Sequence, residues 1–188
     1  MKLSLDHFGI LAPFYERFIK PFYPERLIAL AELNPDCIIL DVGTGTGRLS
    51  QFFHTKAARV VVMDESLDML LQAQKKEGLQ PNLSHAEHLP FDAHTFDRIF
   101  MVDVLHHVAD QQKTADELWR VLKPGGRIII EEPNIHKFGS KMIALAEKLA
   151  FMRSHFLSPE RITQLFPDKT AAIQLDYDGS FVRILVDK

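Results

Sequence analysis

Leu40-Asp41-Val42-Gly43-Thr44-Gly45-Thr46-Gly47 decides the fold of this chain: an apolar strand ends in an acid and runs into three glycines spaced G-x-G-x-G. In an open α/β sheet such a loop lies at the carboxyl end of a strand, where ligands bind and glycine lets backbone approach them closely. The spacing separates it from two other glycine loops. A dinucleotide fingerprint begun at Gly43 needs its third glycine at position 48, which is Arg48, and no Lys-Ser/Thr pair of a P-loop follows. Asp64 ends the next apolar run, where a carboxylate can accept hydrogen bonds from both hydroxyls of a ribose. The plainer alternative for Asp41 and Asp64 is that each only caps a helix N-terminus.

Outward from the loop, apolar and amphipathic stretches alternate. Cys37 to Val42, Arg59 to Met63, Arg98 to Val102 and Arg127 to Ile130 are nearly continuous in apolar character, as expected for strands covered on both faces. Arg48 to His54 and Asp110 to Leu122 are the intervening helices, the second carrying Ala115, Leu118, Trp119 and Leu122 at helical spacing. Leu122-Lys123-Pro124-Gly125-Gly126 ends that helix and turns into the next strand. Repeated βαβ units with right-handed crossovers give a twisted, doubly wound, mostly parallel sheet. Near the C-terminus, Ile173 to Tyr177 and Phe181 to Val186 flank Asp178-Gly179, a two-residue loop favoured in type I′ hairpins, so an antiparallel hairpin closes the sheet. An N-terminal helical stretch with Phe14, Tyr15, Phe18 and Phe22, and a helix-like insert from Phe138 to Met152, stand outside and are placed to cover the ligand edge.

Composition prunes the function classes. The 188 residues are 46% hydrophobic and 25% charged, and 25 acids against 22 bases leave a formal charge of −3 without the basic face of a nucleic-acid binder. The lone Cys37 excludes an intrachain disulfide, a cysteine-based zinc site and a three-cysteine cluster, and fits a reducing compartment. No targeting segment and no apolar run approaching the roughly 18 residues of a membrane span is visible, so the expectation is a soluble cytoplasmic protein.

Ordered motifs from about Asp36 to Pro133 resemble the class I S-adenosylmethionine-dependent methyltransferases, and more narrowly the methyltransferase-11 group that includes the ubiquinone and menaquinone biosynthesis C-methyltransferases. Asp41 to Gly47 is similar to the first motif, and Asp64-Glu65-Ser66-Leu67-Asp68-Met69-Leu70 to the acidic ribose motif. Ala86-Glu87-His88-Leu89-Pro90-Phe91 is similar to the adenine-loop motif. Phe96 to Ile99 with Val104 to Val108 resembles the fourth strand and its continuation, and Leu122 to Gly126 the turn before the fifth.

The resemblance implies a Rossmann-like, seven-stranded α/β sheet in one domain over 1–188: a helical cap (1–35), a cofactor-binding core (36–133), and an insert helix with a C-terminal hairpin (134–188). It implies S-adenosylmethionine as cofactor and S-adenosylhomocysteine as product. Gly43, Thr44, Gly45 and Gly47 would lie against the methionine moiety, with Asp41 helping to hold its ammonium through the loop or a water. Asp64 would take the ribose hydroxyls beside Glu65, Met69 would pack on the adenine face, and Ala86 would meet the adenine edge. The family usually has Gly-Asp where this chain has Ser84-His85; a neutral His85 can still accept at one ring nitrogen, and Glu87 is the other substitute. Asp103 would end the fourth strand beside the cofactor.

Methyl transfer is in-line displacement at an already electrophilic carbon, so the protein must align the reactants and, for some acceptors, remove a proton. His106 and His107 follow the fourth strand, and neutral imidazole suits the task; at most one is expected to act, the alternative being that both fill a turn. Asp103, His106 and His107 resemble a two-histidine, one-carboxylate metal set, but adjacent histidines rarely reach one ion, so no metal is expected. The absence of an Asp/Asn-Pro-Pro-aromatic motif and of a Pro-Cys nucleophile disfavours nucleic-acid methylation. Phe138, Met142, Leu145, Leu149 and Met152, with Phe8, Leu11, Phe14, Tyr15 and Phe18, point either to core packing or to a small apolar, aromatic or quinone-like acceptor. The competing expectation is a non-catalytic S-adenosylmethionine-binding or scaffold protein on the same fold.

Overall fold

The computed structural model describes residues 24–137, 154–166, 168 and 170–188. The N-terminal stretch with Phe8, Leu11, Phe14, Tyr15, Phe18 and Phe22 and the insert from Phe138 to Met152 lie outside them. In chain order the elements are α1 (Glu25–Ala31), β1 (Ile38–Val42), a 3₁₀ turn (Ser50–Phe52), β2 (Arg59–Asp64), α2 (Leu67–Ala73), β3 (Leu79–Leu83), β4 (Phe96–Val102), α3 (Gln111–Val121), β5 (Leu122–Pro133), α4 (Pro159–Thr163), β6 (Ala172–Asp178) and β7 (Phe181–Asp187).

The seven strands form one sheet in the order β3-β2-β1-β4-β5-β7-β6, parallel from β3 to β5 and antiparallel at β7 and β6. Side chains alternate across it. Leu40, Val42, Ile99, Met101, Ile128, Ile130 and Ile184 enter one core with Ala115, Leu118 and Val121 of α3 and Ile162 of α4. Ile39, Val60, Val62, Phe100 and Ile129 enter the other with Leu27 of α1, Phe53 and Leu70 of α2. Both faces are covered, which is why these strands read as unbroken apolar runs and not as alternating ones. Phe53 stacks on Phe100 with ring centroids 4.4 Å apart, fixing the segment after the glycine loop against the sheet.

Two local expectations are corrected. Arg48 to His54 forms only the 3₁₀ turn Ser50–Phe52. Gln51 Nε2 donates to Arg48 O at 2.8 Å and His54 Nδ1 lies 2.8 Å from Gln51 O, so side chains meet carbonyls that a continuing α-helix would use. The hairpin loop is Gly179-Ser180, one residue later than expected, because Asp178 pairs with Phe181. Gly179 takes φ +57° and Ser180 is not left-handed, so the loop has the glycine-first pattern of a type II′ turn. Asp110 caps α3 as its position suggests, accepting from Lys113 N at 3.0 Å.

Candidate functional site

Parallel pairing of β2, β1, β4 and β5 sends the glycine loop, Asp64, Asp103 and the end of β5 to one sheet edge. The chain reverses its direction of travel across the sheet between β1 and β4, and the crevice at such a switch point is where open α/β sheets take ligands. The crevice is tightly built on one side. A Cβ added at Gly43 would lie 2.5 Å from both methyls of Val104, so the loop after β4 rests directly on the glycine loop after β1. At Gly45, φ +57°, an added Cβ would meet nothing within 4 Å among the described residues. The first glycine serves packing and the second leaves open space.

Two acids hold the loop. Asp41, 3% exposed, accepts at Oδ2 from Thr44 Oγ1 at 2.8 Å and Ser50 Oγ at 2.5 Å. Burial pushes its carboxyl up to about 6, against the pull of the Ser50 and Thr44 hydroxyls and helped by the charge of Asp64. Asp64 bridges loop and helix, its Oδ2 accepting from Gly45 N at 2.8 Å and its Oδ1 from Ser66 N at 2.9 Å. Gly43 and Thr44 donate to Met63 O at 2.8 and 3.0 Å, and Gly47 to Thr44 O at 3.1 Å. Carboxylate and backbone together thus fix the loop's shape before any ligand arrives.

The remaining residues separate. Met69 is buried on α2 and Ala86 is buried in the core under the segment after β3. Glu65 and His85 are both strongly exposed and face each other, His85 Nδ1 lying 3.1 Å from Glu65 Oε2. Glu87 is committed elsewhere: its Oε1 accepts from Ala109 N at 2.8 Å and Asp110 N at 3.3 Å, bracing the entry to α3. Asp103 is exposed in the left-handed region at φ +59°, with its N–H given to Glu131 O at 2.8 Å. A non-glycine residue held there at a strand end marks a constrained site.

The two histidines are in different environments. His106, 1% exposed, places Nδ1 2.6 Å from Glu132 Oε2 and stacks on Phe156, ring centroids 4.2 Å apart. His107 is part-buried, its ring centroid 4.0 Å from that of His106. Desolvation, with the neighbouring His106 adding to it, lowers its pKa to about 4, so it is neutral at pH 7. Among the described residues no three His, Cys, Asp or Glu side chains come together as metal ligands.

Three contributors were not singled out from sequence: Ser50, Val104 and Glu132. Glu131 and Glu132 close an otherwise apolar strand and both are buried, a pattern that demands partners. Glu131 faces Arg183, whose Nε donates to its Oε2 at 2.6 Å, while burial still raises its carboxyl. The polar pair inside the run was the available signal.

Residues 40–130 match the methyltransferase-11 family, described as a methyltransferase domain. Over that stretch this chain is similar to the S-adenosylmethionine-dependent methyltransferases. It is 32% identical over 117 residues to a demethylmenaquinone methyltransferase of Thermobifida fusca, covering 59% of this chain and 50% of that protein. It is 31% identical over 124 residues to a ubiquinone/menaquinone biosynthesis C-methyltransferase of Hydrogenovibrio crunogenus, covering 61% and 49%. The chain thus spans about half the length of the curated methyltransferases it matches. A solved SAM-dependent methyltransferase of Thermotoga maritima, titled a possible histamine N-methyltransferase, superposes with TM-score 0.73 at 25% identity, covering 95% of this chain and 97% of that one. No helix among the described residues of this chain is long and apolar enough to cross a membrane.

Proposed function

We propose that this chain is a methyltransferase that moves the methyl group of S-adenosylmethionine by in-line displacement to a small apolar, aromatic or quinone-like acceptor in the cytoplasm, with neither a metal ion nor nucleic acid taking part. The observation that carries this is the open space over Gly45, bounded by a loop that Asp41 and Asp64 hold rigid. A left-handed glycine whose added Cβ would meet nothing within 4 Å among the described residues, next to a carboxylate, fits an amino-acid and ribose moiety lying against backbone. The curated relatives named for demethylmenaquinone favour a quinol-type acceptor.

Bound, S-adenosylmethionine supplies a sulfonium methyl that needs no further activation. The Gly43 to Gly47 backbone would hold its amino-acid end, with Asp41 acting through the loop. Asp64 accepts the N–H of Gly45 at Oδ2 and that of Ser66 at Oδ1, and its carboxylate would also take the ribose hydroxyls. Met69 and Ala86 would flank the adenine, with the Glu65–His85 pair at its outer edge. Asp103 would border the methyl side. Of the two histidines only His107 reaches the surface and could meet an acceptor proton, as the weak base that a pKa of about 4 makes it, whereas His106 is buried with its Nδ1 bound to Glu132.

The test is transfer of radiolabelled methyl from S-adenosylmethionine to a panel of quinols, phenols, amines and thiols. Label on an aromatic or quinol acceptor is expected; cofactor binding with no transfer to any of them would favour a non-catalytic binding protein.

A further inference from the structure

Glu132 is 3% exposed at the end of β5, yet its carboxylate meets three donors from a different segment. Its Oε1 accepts from Val104 N at 3.1 Å and Leu105 N at 2.8 Å, and its Oε2 faces His106 Nδ1 at 2.6 Å. An ionised carboxylate only accepts, so the proton between them belongs to Nδ1 of His106. One of the clamped residues touches the glycine loop: the methyls of Val104 close over the α-carbon of Gly43. Charge-assisted hydrogen bonds in a dry site are strong and directional. The neighbouring Glu131 projects to the opposite face of the sheet and pairs with Arg183, so only one acid of the pair reaches the loop.

We propose that Glu132 is a positioning residue of the cofactor site. One oxygen sets the height of the 104–105 backbone above the glycine loop, and the other fixes the tautomer and ring plane of His106. That ring in turn stacks on Phe156 and supports His107. Glu132 touches no reacting atom; it acts through Val104 and His106. This rests on the methyltransferase reading, because the loop it supports is the proposed cofactor loop.

The substitutions Glu132→Ala and Glu132→Gln separate the two oxygens. Alanine removes both, and S-adenosylhomocysteine is expected to bind at least about tenfold more weakly, the fold-change matching loss of one net charge-assisted hydrogen bond. Glutamine keeps a carbonyl oxygen toward Val104 and Leu105, and binding is expected to recover to within about threefold. Its amide nitrogen then faces His106, whose Nδ1 must accept. Nitrogen-15 NMR of labelled histidine should therefore show His106 change from the Nδ1–H to the Nε2–H tautomer. Glu131→Gln is the control for general loss of a buried acid and should leave binding unchanged. Unaltered binding in Glu132→Ala, or equal weakening by Glu131→Gln, overturns the proposal. So does a His106 tautomer that stays unchanged in Glu132→Gln, a readout that holds even where the alanine variant fails to fold. Failure of the unsubstituted chain to bind S-adenosylhomocysteine, with the tautomer change intact, would instead overturn the functional reading and leave the clamp standing.

Discussion

The carboxylate of Asp64 accepts the N–H of Gly45 at 2.8 Å, joining the acid that ends β2 to the middle of the loop that follows β1. The same side chain takes the Ser66 N–H, so one residue organises both walls of the proposed site. Asp64→Ala leaves two part-buried N–H groups without their acceptor. The loss expected is about 1.5 to 3 kcal/mol of stability, read from urea unfolding midpoints. S-adenosylhomocysteine binding should fall with it, whereas an Asp64 that serves only as a cap would alter stability alone.

Gly43 and Gly45 are expected to fail differently. Gly43→Ala drives a methyl into Val104 at 2.5 Å from a left-handed backbone, so it should destabilise the fold. Gly45→Ala has room for its methyl and bears only the left-handed strain, about 1 kcal/mol. It should fold with a small drop in Tm and lose S-adenosylhomocysteine affinity, because its methyl occupies the ligand's space. Thermal unfolding and calorimetric titration of both variants check this; a Gly45→Ala protein with full affinity would place the ligand elsewhere.

Two buried groups oppose each other between pH 4 and 6.5. Asp41 has its folded pKa raised from 3.8 to about 6, so the stability it contributes is present below pH 3.8 and lost as pH rises through 6. His107 has its folded pKa lowered from 6.5 to about 4, so its contribution is present above pH 6.5 and lost as pH falls through 4. The full chain should therefore show an acid limb between those of the two single variants. Asp41→Asn should fall more steeply on acidification and His107→Gln should fall less, as read from Tm measured at half-unit steps of pH.

Ser50→Ala isolates the support of the buried acid. Ser50 and Thr44 are the hydroxyls whose hydrogen bonds hold down the Asp41 carboxyl, and removing the first should cost about 2 kcal/mol at pH 7. The cost should shrink near pH 4, where Asp41 is protonated in both proteins. A pH-independent loss would mean that Ser50 acts only by packing.

Sheet and loop were legible in the sequence because their signals are local. Unbroken apolar runs named β1, β2, β4 and β5, and the acid-plus-glycine spacing named the loop. Strand β3 was obscured: on the sheet edge only its first residue, Leu79, is buried and Pro81 interrupts it, so its pattern matches neither template. The helix expected at Arg48 to His54 gave way to a 3₁₀ turn where side chains compete for backbone carbonyls. Acids were harder to read by role than by presence. Asp64 sits where its position suggested, but Glu87 turns away to brace α3, and Glu132 reaches across 26 residues of sequence to His106. Such long-range hydrogen bonds leave no periodicity behind; only the misfit of two charges in an apolar strand announces them.

Titration of the full chain with S-adenosylhomocysteine by isothermal calorimetry, alongside Gly45→Val and with NAD as competitor, tests the assignment most directly. One site per chain, abolished by Gly45→Val and indifferent to NAD, is expected. Binding of NAD instead, or S-adenosylhomocysteine binding that survives Gly45→Val unchanged, would contradict a methyl-donor site on the Gly43 to Gly47 loop.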